Sequence, residues 1–410
     1  MPEIRPFAAI RYRPGDPSFL AQVLAPPYDV ISPAYARTLE ARHESNVVRI
    51  VLNLAGDPDG YRRAGDTFRA WIERGVLAPD PEPSLYVLEQ TFSVGGTRYR
   101  RRGLLARLRA EDYAAGSVLP HEHTRKAARE DRFLMLQALR ANLSPIFTMV
   151  PDSAGDLRTA LEDVARADAA AEYRDDTGVE HRLVRVAAED PIARLTGLIA
   201  RTSVFIADGH HRYATALRHR DVVGPEGAWT LGYFVPVEDP GLVVLPYHRV
   251  VVDGPSLADA EGRLARHSEI RVVEGLDALA TAVQSSQAPH AFGLADRSGR
   301  GLLVEALPGS AGRLPAGTPP CLAALDTYFV HRHVLPDLLG VDDAKVRYVH
   351  SLDEARSSVA EADGPLALVL RATPVAHIID VARAGESMPA KSTFFHPKLP
   401  SGLVIHPLVV

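Results

Sequence analysis

Val204-Phe-Ile-Ala-Asp208-Gly209-His210-His211-Arg212-Tyr213-Ala-Thr-Ala-Leu217 is the stretch on which the reading of this 410-residue chain turns. Four apolar residues, Val204 to Ala207, predict a short buried strand, and Gly209 supplies a backbone angle that other residues resist. Tyr213, Ala214, Ala216 and Leu217 then recur at helical spacing. Between strand and helix stand Asp208, His210, His211 and Arg212. A helix opening there offers N–H groups to an anion, and an arginine in its first turn grips a phosphate or carboxylate with a fork of donors. The plainer alternative makes Asp208 a helix cap and leaves the histidines solvated or in the core. So many polar groups at one strand-to-helix junction favour a ligand or catalytic role.

Length and composition bound what surrounds this turn. The chain is long for one domain, and two α/β regions are expected. Residues 1–254 would form the main domain, and 255–410 a second region whose C-terminal segment docks back on the core. Hydrophobic residues make up 46% and charged residues 24%, as in an ordinary folded protein. A formal charge of −5 argues against a broad nucleic-acid surface, although Arg98, Arg100, Arg101 and Arg102 crowd together. They alternate to both faces near a Gly95-Gly96 turn, which favours an exposed tip over a phosphate grip. Cys321 is the only cysteine, so no intrachain disulfide forms, and it reads as core filler. Neither a signal-peptide pattern nor a bilayer-length apolar stretch is legible, so the expected setting is cytoplasmic.

Along the chain, Pro26-Pro27-Tyr28-Asp29 reads as a stiff loop from which Asp29 can project into a pocket, and Ser32-Pro33 starts a helix through Arg42. Val47–Leu54 reads as a strand and Tyr61–Arg74 as an amphipathic helix. Leu85–Val94 and Thr97–Arg109 pair across Gly95-Gly96. Ile146–Val150, Glu180–Val186 and Trp229–Pro236 read as strands, Leu157–Ala171 and Asp190–Ala200 as helices. His248-Arg249, in a strand over 242–252, is placed to face the same pocket. Beyond Gly254, helices near 256–267 and 276–285 alternate with short strands. Leu322–Leu339 reads as one helix with His331 and His333 on its surface, Ser351 caps a helix over 352–362, and Lys391 or Lys398 can contribute to a phosphate site.

A second polar cluster, Pro120-His121-Glu122-His123-Thr124-Arg125-Lys126, precedes a helix. Two histidines separated by one residue do not define a metal site. A carboxylate base is more attractive: Glu122 can activate a hydroxyl while Arg125 and Lys126 neutralise phosphate oxygens. The plain alternative is a solvated loop. P-loop, dinucleotide-binding and serine-hydrolase motifs are not found in the sequence.

Taken together, Ile4-Arg-Pro-Phe7, Pro26-Pro-Tyr-Asp-Val-Ile31, Leu119-Pro-His-Glu-His-Thr124, Ala141-Asn-Leu-Ser-Pro-Ile146, Ile206-Ala-Asp-Gly-His-His-Arg-Tyr213 and Lys391-Ser-Thr-Phe-Phe resemble the uncharacterised DUF1015 family across nearly the whole chain. The Asp208–Ala216 turn is also similar to the phosphate-binding turn of the ParB and sulfiredoxin-like superfamily, which includes partition CTPases, sulfiredoxins and free-serine kinases. That resemblance implies an α/β (α+β, mixed-sheet) fold with a ParB/sulfiredoxin-like core and N- and C-terminal elaborations. It implies nucleotide phosphates at Gly209 and Arg212. His210 stands where sulfiredoxins carry their reactive cysteine, which argues against peroxiredoxin repair.

Three functions follow. The first is a phosphotransferase using ATP or ADP with Mg2+ on a small hydroxyl-bearing, serine-like metabolite. In it Glu122, Asp208 and His210 are catalytic, and Gly209, His211, Arg212, Arg125 and Lys126 hold the nucleotide. The second is a divalent-metal phosphoesterase built on His121, His123, Asp208 and His210. The third is a non-enzymatic ParB-like nucleotide binder.

Overall fold

The computed structural model describes residues 1–408 except 55 and 361–365, with Ala311 and Gly312 described by their backbone alone. The fold is mixed α/β with several sheets, and the chain divides into two compact units. The first comprises Met1–Pro120, Thr124–Val243 and the segment from Pro397 onward; the second comprises His121–His123 and Val244–His396. The sequence boundary at 254 thus differs from the structural division, which also assigns His121, Glu122 and His123 to the second unit.

A nine-stranded mixed sheet organises the first unit. Its order is Val118–Leu119, Val204–Asp208, Ile146–Val150, Trp229–Pro236, Thr97–Arg109, Leu85–Val94, Glu180–Val186 and Ala171–Arg174, with Ile4–Arg5 also on Thr97–Arg109. Period-two alternation divides the side chains between faces. Leu104, Ala106 and Leu108 join Ile146, Val204 and Ile206 in one apolar cluster. Helices Asp156–Val164, Glu189–Ile199 and His210–Val223 add Leu157, Leu161, Leu195, Ile199, Tyr213 and Ala216 to it. Each such leucine, isoleucine or valine contributes about 1.5–3 kcal/mol on burial. The cluster anchors the helix that follows the key turn.

The C-terminal segment joins this unit through bridges Ala25–Ser401 and Ile10–Ile405, and through His406–Pro407 paired with Ala141–Asn142. His406 is buried, its Nδ1 2.9 Å from Asn142 Oδ1, and burial pushes its imidazole down to about 3.

The second unit is built on a six-stranded antiparallel sheet ordered Ser268–Glu274, Arg300–Ala306, Ala291–Ala295, Leu366–Leu370, His248–Val251 and Val346–Val349. Leu257, Leu264, Val330 and Val334 pack in one core cluster; Leu276, Leu279, Ala355 and Val359 belong to another.

Several expected elements differ. Val47–Leu54 holds the helix Val48–Val51 rather than a strand, because Asn46 Oδ1 accepts the Val48 N–H at 3.0 Å and starts a turn. The helix from Leu157 stops at Val164, and Ala171 already begins a strand. Glu189–Ile199 starts without a side-chain cap, Asp190 lying inside it. The region 322–339 is Pro320–Ala323, Asp326–Phe329 and the π-helix Val330–Leu339, in which Pro336 has no N–H for an α ladder. His331 and His333 are buried, not on the surface, and are bonded to Asp343 and Asp337 at 2.8 and 2.9 Å. The helix expected over 352–362 is observed as Leu352–Ala360; 361 and 362 lie outside the described residues.

Candidate functional site

The strand Val204–Asp208 runs parallel to Val118–Leu119 and antiparallel to Ile146–Val150. Its register slips between Ile206 and Asp208, so that Asp208 opposes Phe147 while Ile206 opposes Thr148. An irregularity of this kind re-aims a side chain at the end of a strand. Gly209 follows in the left-handed region at φ +96°, as the N-terminal flank of the helix His210–Val223. A Cβ here would lie 3.0 Å from Arg212 Cζ and Nε, so glycine serves both the backbone angle and the seat of Arg212. No side chain caps this helix, which removes the alternative in which Asp208 merely caps it.

Two cations meet on Asp208. Lys398 Nζ is 3.2 Å and Arg212 Nη2 3.3 Å from its Oδ2. Burial alone would raise this carboxyl, but the Lys398 ammonium and then the Arg212 guanidinium outweigh it and hold it well below the usual carboxylate range. Arg212 Nη1 donates to the Pro145 carbonyl. Its Nε is buried and has no hydrogen-bond partner among the described residues.

The turn is braced on the helix Lys126–Leu139. The Arg125 N–H donates to His211 Nε2 at 3.0 Å, so that nitrogen is unprotonated and the imidazole accepts. The Arg125 and Lys126 side chains are exposed, and His210 is buried at the helix start. The helical ladder begins with the Tyr213 N–H on the Gly209 carbonyl at 2.9 Å, leaving the first-turn N–H groups ahead of it. A cavity of about 60 Å³ lies beside Arg212, lined also by Tyr28, Arg132, Leu136, Asn142 and Thr215. Arg132 lies 4.0 Å over the Tyr28 ring, and burial, then the Asp29 charge, pushes the Tyr28 phenol up to about 12.

The structure therefore brings together Asp208, Gly209, His211, Arg212 and the Arg125 backbone. Glu122 falls in the second unit, where it bridges to Met388, and the His121 carbonyl accepts the Met388 N–H at 2.8 Å. Asp29 is exposed. His248 and Arg249 belong to the second unit and are buried, which pushes them down to about 4 and about 10. Arg249 Nε donates to His331 Nε2 at 3.2 Å, and its Nη2 donates to the Lys391 carbonyl. Among the described residues, no three His, Cys, Asp or Glu side chains converge as metal ligands. Sequence reasoning missed Tyr28 and the burial of Arg101, and it did not separate Lys398 from Lys391. A basic residue in a C-terminal run of rings was the available signal.

Fold and site define a mixed α/β protein with a cationic strand–glycine–helix turn. The chain belongs to the DUF1015 family, described as proteins of unknown function, whose model matches residues 4–328. No curated protein matches it. Among solved structures it is similar to a conserved hypothetical protein from Pyrococcus furiosus at 15% identity, covering 72% of this chain and 94% of that one, with TM-score 0.36. It is similar to a free serine kinase in complex with AMP at 14% identity, covering 70% and 89%, with TM-score 0.34. A third is SbnI with a C-terminal truncation, from Staphylococcus aureus, at 9% identity, covering 74% and 87%, with TM-score 0.38. Likeness this distant carries no functional inference. No described helix is long and apolar enough to cross a membrane.

Proposed function

We propose that the 208–212 turn binds the phosphates of a nucleotide, ADP or ATP, and that the protein transfers a phosphoryl group to a small hydroxyl-bearing metabolite. The observation that carries this reading is Arg212. Its guanidinium is paired on one arm with Asp208, its buried Nε has no partner among the described residues, and it borders a cavity of about 60 Å³ that Thr215, further along the same helix, also lines. A phosphate oxygen would satisfy that donor and the first-turn N–H groups together. Lys398 adds a second positive charge beside the same carboxylate.

Asp208 fits a fixed counter-charge better than a base, since two cations hold it ionised. The same pairing makes it a poor ligand for a resident Mg2+, so no step here is routed through that ion, which fits the nucleotide as its own counter-ion. Positioning and charge neutralisation supply most of phosphoryl-transfer catalysis, and this turn offers both. The assignment of Glu122 as base rests on its chemistry alone. Calorimetric titration with ADP, ATP and CTP, followed by an acceptor screen starting with serine, tests the reading. Binding without turnover of any acceptor would remove the transferase half and leave a nucleotide binder.

A further inference from the structure

We propose that Arg101 and Gln90 are positioning residues, which set Lys398 against Asp208 by holding the backbone of residues 397 and 398. The inference rests on the reading of the turn as a phosphate site. Arg101 lies on Thr97–Arg109, separated in the sheet from Val204–Asp208 by two strands. It is wholly buried, although the alternation of arginines along this strand predicts an exposed tip.

Its guanidinium lies 4.7 Å over the ring of Phe147, the register partner of Asp208, and 5.9 Å from that of Tyr233. Gly103 makes the second contact feasible: a Cβ there would fall 2.3 Å from the Tyr233 ring. Arg101 Nη2 donates to the Pro397 carbonyl at 2.6 Å and to Gln90 Oε1. Gln90, its partner across the hairpin, donates from Nε2 to the Lys398 carbonyl at 3.2 Å. Two successive carbonyls are thus held from below, and the Lys398 side chain, only 12% exposed, reaches Asp208 from that fixed base.

A buried guanidinium is a costly way to fill a core, because an apolar residue of similar volume packs there without desolvating a charge. Here its Nη2 reaches the segment that carries Lys398, at the Pro397 carbonyl. In this account the arginine is retained for where it puts that lysine.

The test is a double-mutant cycle on the full chain, with ADP as probe and thermal melting alongside. Lys398→Met is expected to weaken ADP binding about 30-fold, and Arg101→Met and Gln90→Met about 10-fold each. Each double variant with Lys398→Met should bind within about twofold of Lys398→Met alone, because the loss passes through the same ammonium. If Arg101→Met does not fold, the Gln90→Met cycle carries the test. Losses that multiply in the double variants, or single variants with unchanged affinity, overturn the inference and leave the phosphate site standing. Full affinity in both Lys398→Met and Arg212→Ala overturns the reading of the turn, and this inference with it.

Discussion

Lys398 Nζ lies 3.2 Å from Asp208 Oδ2, although 190 positions separate the two residues. The contact ties the C-terminal segment to the turn that begins the helix His210–Val223. A carboxylate between two cations sets the local field, so the turn's behaviour should follow the ionisation of Asp208.

The pH dependence has a defined sign. Asp208 is depressed in the folded state, so its contribution to stability is present above its unfolded value near 4 and is lost as pH falls toward the folded one. Asp208→Asn should cost roughly 1–3 kcal/mol at pH 7, and the gap to the wild type should narrow as acid is added. Denaturant melts at pH 7 and pH 3 measure it; a gap that widens in acid would contradict the assignment.

Gly209→Ala forces a Cβ onto a left-handed backbone and against Arg212. The backbone cost is about 1–2 kcal/mol. Because Arg212 must shift, ADP affinity should fall by about tenfold or more. A variant that melts earlier but binds ADP unchanged would separate the glycine from the ligand.

His211→Ala removes the acceptor of the Arg125 N–H and should lower stability by about 1 kcal/mol. His211→Gln keeps an acceptor oxygen and should restore part of that loss. Equal melting of both variants would show that the bond contributes nothing.

Glu122→Gln tests the base assignment. Turnover should drop by about 100-fold or more while ADP affinity is held within about twofold. Parallel loss of binding and turnover would assign Glu122 a binding role instead.

What was legible in the sequence was local. The run Val204–Ala207, Gly209 and the helical spacing after it locate the turn within one residue, and Gly95-Gly96 marks the hairpin Leu85–Arg109. What was not legible depends on distant partners. Val48–Val51 is helical after a turn in which Asn46 Oδ1 accepts the Val48 N–H, with Asn46 itself held by the Gln22 carbonyl at 2.6 Å. Arg101 is buried because Pro397, nearly 300 positions away, accepts its hydrogen bond. His331 is buried because Arg249 and Asp343 take its two nitrogens. No spacing rule connects Lys398 to Asp208, so the second cation of the site waited on the fold.

The most direct test of the central claim is calorimetric titration of Arg212→Ala with ADP beside the wild type, both checked by melting. The account predicts measurable ADP binding by the wild type and at least a roughly 100-fold loss in the variant, since the charge-assisted fork that takes the phosphate is gone. Equal affinity in the two proteins would contradict it.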